Sequence, residues 1–155
     1  MDISIVIPVY NAGDFIHTCL DSIIAQKGNH KYEIILVDDG STDNSVEVIH
    51  QYEKSQELVK SGGSIVLMQQ QNAGPSKARN RAIEAARGRY LAFIDADDYW
   101  KPEFFKRTMD FLDKHEECIG VSVLQQVDTV SGTHVSPEIP NGGLSDNDTC
   151  RYADG

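Results

Sequence analysis

Positive charge is in short supply in this chain. Fourteen lysines and arginines stand against 24 aspartates and glutamates, a formal net charge of −10 over 155 residues. A surface of that sign repels phosphate backbones and anionic headgroups, so nucleic acid is not an expected partner. Cysteine is equally sparse. Cys19, Cys118 and Cys150 lie far apart, with no Cys-x-x-Cys pair and no zinc-type Cys/His spacing. The odd count suits a reducing compartment, and Cys19 falls on the apolar side of a predicted helix, where packing is its expected role. No apolar run reaches the roughly 20 residues of a membrane-spanning helix. No basic stretch precedes the first apolar run at Met1-Asp2-Ile3-Ser4, so no secretory signal is read and the sequon at Asn147-Asp148-Thr149 is taken as chance. A cytoplasmic protein is expected, with attachment at the inner face of a membrane left open. Internal repeats and low-complexity tracts are also missing.

What is present is an ordinary globular composition, 40% hydrophobic and 25% charged, in a length that suits one domain. A short apolar run rich in β-branched residues occurs at Ile3 to Val9, and further apolar runs at Tyr32 to Val37, Ile65 to Met68 and Tyr90 to Ile94. Such runs read as strands covered on both faces, as in a parallel sheet. Between them lie helical patterns. Phe15, Ile16, Cys19, Leu20, Ile23 and Ile24 recur at helical spacing, with Gly28 as a stop signal; Asp43 to Tyr52 is a second pattern. Pro75 suits the first turn of a third, with Ala78, Ala82 and Ala86 on one side and Gly88 at its end; Pro102 opens a fourth, with Phe105, Met109 and Leu112 in register. The alternation predicts an α/β fold with a doubly wound, mostly parallel sheet flanked by helices. Ile119 to Val127 is a weaker fifth strand. From Thr129 onward the chain is rich in Gly, Pro, Ser, Asn and Asp and reads as loop, with a hairpin across His134 to Ile139.

In open parallel sheets, ligands bind beyond the carboxyl ends of the strands. Here those ends read Pro8-Val9-Tyr10-Asn11, Val37-Asp38-Asp39-Gly40-Ser41, Gln71-Asn72-Ala73-Gly74-Pro75-Ser76 and Ile94-Asp95-Ala96-Asp97-Asp98. Acids at strand ends often serve only loops and helix caps. Five on one edge is harder to explain that way. Asp95 and Asp97, one residue apart, can both face a hard cation such as Mg²⁺ or Mn²⁺, which completes its shell with water and phosphate oxygens; capping the helix near Pro102 is the competing role for Asp97 or Asp98. Asp38 or Asp39 can accept a hydrogen bond from a nucleotide base, or merely hold the turn at Gly40-Ser41-Thr42-Asp43. Tyr10 offers a stacking face, Gly74 allows close backbone approach, and Lys77 and Arg79 begin a helix whose N-terminus favours anions, as candidates for diphosphate contact. Arg81 is read as surface.

Taken in order, Ile5-Val6-Ile7-Pro8-Val9-Tyr10-Asn11, Val37-Asp38-Asp39-Gly40-Ser41-Thr42-Asp43, Asn72-Ala73-Gly74 with Ala78-Arg79-Asn80, and Asp95-Ala96-Asp97-Asp98 resemble the motifs of family 2 inverting glycosyltransferases. The resemblance covers roughly residues 1–127 and implies the GT-A fold. It places Pro8, Tyr10 and Asp39 around the base and ribose, with Asn11 in the same motif, and Asp38 behind that turn. It sets Asp95 near the ribose and sugar, Asp97 on the metal, and Asp98 outside the ligand set. Ala82 departs from a frequent glycine, a mild change on a helix. The implied general base is an acid in the acceptor-binding half that follows. Asp146, Asp148 and Asp154 match no such motif, so the catalytic base stays unknown, and residues 128–155 read as the loop-rich start of an acceptor side that is truncated here.

The resemblance implies transfer of a sugar from a nucleoside-diphosphate donor, with a lean to uridine, to a carbohydrate or lipid-linked acceptor in polysaccharide biosynthesis, with a divalent cation as cofactor. The sheet edge left by a truncated half is expected to promote self-association. Two alternatives stand beside this: a donor-binding fragment without transfer, and a receiver-like phosphoacceptor module. The latter places its acid pair after the first strand, whereas a whole strand and helix precede Asp38-Asp39.

Overall fold

The four apolar runs become one parallel sheet. The computed structural model describes residues 1–115, 127–128 and 134–135. Strands β1 (Ile3–Val9), β2 (Tyr32–Asp38), β3 (Gly63–Gln69) and β4 (Tyr90–Phe93) lie in the order β3-β2-β1-β4. Every pair is parallel, and the register aligns Ile3 with both Tyr32 and Tyr90, and Tyr32 with Gly63. Val9 therefore sits beside Asp38, and Asp38 beside Gln69. β1, β2 and β3 start and finish in line, while β4 ends opposite Val6 and the chain beyond it carries Asp95 and Asp97 to the same edge.

The chain runs β1 to β2 to β3 in one direction and then returns to place β4 on the far side of β1. With right-handed crossovers, that reversal moves the last connecting helix to the opposite face, the doubly wound arrangement the sequence predicts. Helices α1 (Ile16–Ile24) and α2 (Ser45–Glu53) pack on one another, and α2 reaches β3. Helix α4 (Pro75–Ala85) packs on β1 and β2. Ala78 and Ala82 rest on Val6, Ile35 and Val37, flanked by Val66, Met68 and Ala86. Small residues let this helix come close to the sheet. Strand alternation puts Ile5, Ile7, Ile34 and Leu36 on the other face, and all four are fully buried.

Several boundaries differ from the sequence expectation. A short helix, α3 (Gln56–Lys60), was not foreseen; Ser55 caps it by accepting the Leu58 N–H at 3.1 Å. Helix α1 ends at Ile24 with Ala25 as its cap, and Gly28 lies in the following loop. Helix α4 ends three residues before Gly88, whose role is close approach: a Cβ there would lie 2.4 Å from Ser4 N. Helix α5 (Phe104–Leu112) begins after Pro102 rather than at it.

One buried carboxylate was also missed. Glu33, inside β2, is fully buried and accepts from Ser4 Oγ at 2.7 Å, from the Arg87 backbone N–H at 2.8 Å, and from the Arg87 guanidinium at 2.6 and 3.0 Å. This fastens the turn between α4 and β4 to the sheet at the edge opposite the acidic strand ends.

Residues 1–106 form one compact unit and residues 107–155 a second. Within the second, β5 (Val127–Asp128) pairs antiparallel with β6 (His134–Val135); this pairing joins the end of the predicted fifth strand to His134, earlier in the chain than the hairpin expected across His134 to Ile139, whose residues 136–139 lie outside the described residues. The predicted fifth strand lies, apart from Val127, outside the described residues, as do Asp146, Asp148 and Asp154.

Candidate functional site

The reversal of strand order falls between β1 and β4, and in open parallel sheets such a switch point is where ligands bind beyond the strand ends. A cavity of about 450 Å³ lies there. Its wall takes Pro8, Tyr10 and Asn11 from the end of β1, Asp39 from β2, Gly74 and Arg79 from the start of α4, and Asp95 and Asp97 from beyond β4. Asp38 and Lys77 are not on the wall. Asp38 accepts the Ser41 N–H at 3.1 Å and so holds its own turn. The wall also includes Asn72 and Phe15, which the sequence does not mark as site residues. Phe15 was counted on the apolar face of α1, yet it precedes the helix and is 54% exposed. Only the exit angle of the chain from β1 could have revealed this.

The loop after β1 is held by the loop after β2. Asn11 adopts a left-handed φ of 49°, which asparagine tolerates better than most residues. Its N–H donates to Ser41 Oγ at 2.9 Å, and its Oδ1 accepts the Thr42 N–H at 2.8 Å. The Ala12 N–H donates to Ser45 Oγ at 2.8 Å and the Gly13 N–H to Asp43 Oδ2 at 2.9 Å. Tyr10, 54% exposed, is thus presented on a fixed backbone.

Asp39 is buried at the cavity floor. Its Oδ1 accepts from Gln70 Nε2 at 2.7 Å and from the Ala73 N–H at 2.8 Å, and its Oδ2 accepts the Gly74 N–H at 2.8 Å. Burial alone would raise its pKa; these hydrogen bonds and the nearby Lys77 charge outweigh that and hold it below the usual aspartate value. Each carboxylate oxygen has more than one lone-pair direction, so acceptor capacity remains toward the cavity. Gly74 has a φ of +91° and precedes Pro75 at the first turn of α4, where a Cβ would meet no atom within 4 Å.

Beyond β4 the strand alternation persists for one more step. Ile94 and Ala96 point inward at 6% and 7% exposure, while Asp95 and Asp97 are both exposed. Arg79 Nη2 pairs with Asp95 Oδ1. Asp97 has no hydrogen-bond or ion-pair partner among the described residues. Beneath them, burial and then the charges of Asp98, Asp97 and Asp95 push the Cys19 thiol up to about 12, so it stays protonated.

No group of three or more His, Cys, Asp or Glu side chains among the described residues could enclose a metal ion. Two exposed carboxylates at neighbouring outward positions nevertheless suit a hard cation that takes one or two protein ligands and fills its shell with phosphate and water oxygens. Among the described residues, no helix is long and apolar enough to cross a membrane.

Known proteins can be set beside this geometry. Over 107 residues the chain is 47% identical to the uncharacterized glycosyltransferase YibD of Escherichia coli K12, covering 69% of this chain and 29% of that protein. Over 129 residues it is 42% identical to a poly(ribitol-phosphate) beta-glucosyltransferase of Bacillus spizizenii, covering 82% and 20%. Among solved structures it is similar to Staphylococcus aureus TarS residues 1–349 in complex with UDP, at 30% identity and a TM-score of 0.66, over 75% of this chain and 33% of that one. The chain thus spans a third or less of the length of these proteins. The sheet and its flanking helices are those of a GT-A fold. The profile described as Glycosyl transferase family 2 matches residues 4–151, nearly the whole sequence, and the chain belongs to that family.

Proposed function

We propose that residues 1–127 form the donor-binding half of a glycosyltransferase that moves a sugar from a nucleoside diphosphate, UDP in the first instance, to an acceptor hydroxyl with inversion. The observation that carries this is the meeting of Tyr10, Asp39, Asp95 and Asp97, from three strand ends, around one cavity at the switch point. Tyr10 stacks on the base, Asp39 receives a base N–H, and the Gly74 turn lets backbone approach the diphosphate. Asp97, with Asp95, would hold Mg²⁺ or Mn²⁺, which when bound offsets the charge developing on the departing diphosphate. The acceptor oxygen attacks the anomeric carbon as the bond to the diphosphate oxygen breaks, and a base outside the described residues takes the hydroxyl proton. The TarS complex with UDP supports the choice of nucleotide, and the poly(ribitol-phosphate) relative supports a polymer acceptor that offers hydroxyl groups. The receiver-like alternative finds no support: the acid pair stands at the end of β2, with Asp38 its last residue and Asp39 the next, and the family match points elsewhere.

The test is calorimetric titration of the chain with UDP, with and without Mn²⁺. Wild type is expected to gain affinity from the metal. Asp97→Asn is expected to lose most of that gain, about tenfold or more, while its thermal midpoint stays within a few degrees. Equal UDP affinity for both proteins in Mn²⁺ would refute the assignment.

A further inference from the structure

The acids beyond β4 sit at the head of a stretch with no regular structure, residues 94–103, before α5 begins. Backbone groups there cannot be satisfied by a ladder or helix and must find other partners. Many of them find the same one. The Cys19 thiol donates to Asp95 O at 3.7 Å. Ser22 Oγ accepts the Trp100 N–H at 3.0 Å. Gln26 Nε2 donates to Lys101 O and Gln26 Oε1 accepts the Phe105 N–H, both at 2.9 Å. The Lys27 N–H continues the series to Pro102 O at 3.1 Å. Cys19, Ser22 and Gln26 are spaced three and four residues apart, which aligns them along one side of α1 and its closing turn. Gln26 is itself braced by a second donation, to Ser22 O at 2.9 Å.

We infer that this polar stripe of α1 positions the acidic segment, setting where Asp95 and Asp97 stand relative to the aromatic wall of the cavity. The same helix begins just after Tyr10 and Phe15, so it connects one wall to the other. An apolar stripe would bury the segment as well, but it would let the backbone slide; directional bonds to both ends fix its register. Ser22 and Gln26 do not line the cavity and touch no donor, so their action is through the carboxylates. The inference rests on the metal-assisted reading above.

The experiment measures UDP affinity in Mn²⁺ and in chelator, together with thermal unfolding, for the 155-residue wild type, Ser22→Ala, Gln26→Glu, and the Ser22→Ala/Gln26→Met double variant. The double variant is expected to lose about five- to tenfold of the metal-dependent gain, the size of one net hydrogen bond, with metal-free affinity unchanged. Gln26→Glu, which keeps the acceptor for Phe105 N–H, is expected to recover part of it. A lowered midpoint with an undiminished metal-dependent gain would make the stripe purely structural and overturn the inference, and the milder Ser22→Ala gives the same decision if the double variant does not fold. Wild type with no metal-dependent gain overturns the metal reading and this inference together, whereas wild-type gain that survives in every variant overturns this inference alone.

Discussion

Asn11 shows how one residue type can satisfy two demands. Its backbone lies in the left-handed region, and its side chain supplies the acceptor that holds Thr42. Alanine fails both demands, glycine only the second. Left-handed backbone costs about 1–2 kcal/mol for an ordinary residue and a lost hydrogen bond about 1. Asn11→Ala is therefore expected to destabilise by about 2–3 kcal/mol and Asn11→Gly by about 1, measured by urea unfolding. Equal losses would mean that the backbone conformation costs nothing here. The motif made Asn11 legible as important, but as a ligand contact. Its hydrogen bonds to the loop after β2 depend on a neighbour 31 positions away, which no local pattern reveals.

At the scale of elements, α4 is the clearest case of sequence dictating packing. Its mean composition is polar, and its buried stripe consists of alanines at Ala78 and Ala82, both fully buried against β1 and β2. A larger side chain has nowhere to go. Ala78→Leu is expected to cost about 1–3 kcal/mol by overpacking. It should also move the Gly74 turn and Arg79, both on the cavity wall, and so weaken UDP binding. A variant as stable as wild type would show that α4 stands off the sheet further than its contacts indicate. The strand order was readable from the apolar runs, but only β1 and β2 are covered on both faces as expected: β3 is partly buried along its length, and β4 leaves Leu91 and Phe93 exposed. Helix ends were less readable: Gly28 and Gly88 look like stop signals, yet each helix stops earlier, and Gly88 is used for its lack of a side chain against Ser4.

Across the molecule, among the described residues, three of the carboxylates that anchor backbone have lowered pKa values. For Glu33, Asp39 and Asp43, burial raises the pKa, and hydrogen bonds more than reverse it, so all three sit below their ordinary values of 4.5, 3.8 and 3.8. Groups with lowered folded values bind more protons unfolded than folded. Their stabilisation is fully present above the ordinary values and is lost as pH falls through the lowered folded ones. The urea midpoint is expected to stay level from pH 7 to about 5.5 and to drop steeply below about 4.5. Glu33→Gln should flatten part of that slope, at the cost of about 1–3 kcal/mol near neutrality. A midpoint unchanged down to about pH 3 would show that the carboxylates carry no such load.

The sequence by itself determined the α/β layering, because periodicity of two and of 3.6 residues is written locally, and it determined the family, because four motifs occur in a fixed order. It also marked which residues carry charge at the strand ends. Only the tertiary structure decided which of those share a wall. It left Asp38 and Lys77 off the wall that Asp39 and Arg79 line, brought Phe15 to that wall, paired Arg79 with Asp95, and bonded α1 to the backbone of the acidic segment. Those outcomes depend on strand order and register, which are fixed by contacts between segments dozens of residues apart and leave no trace in local spacing.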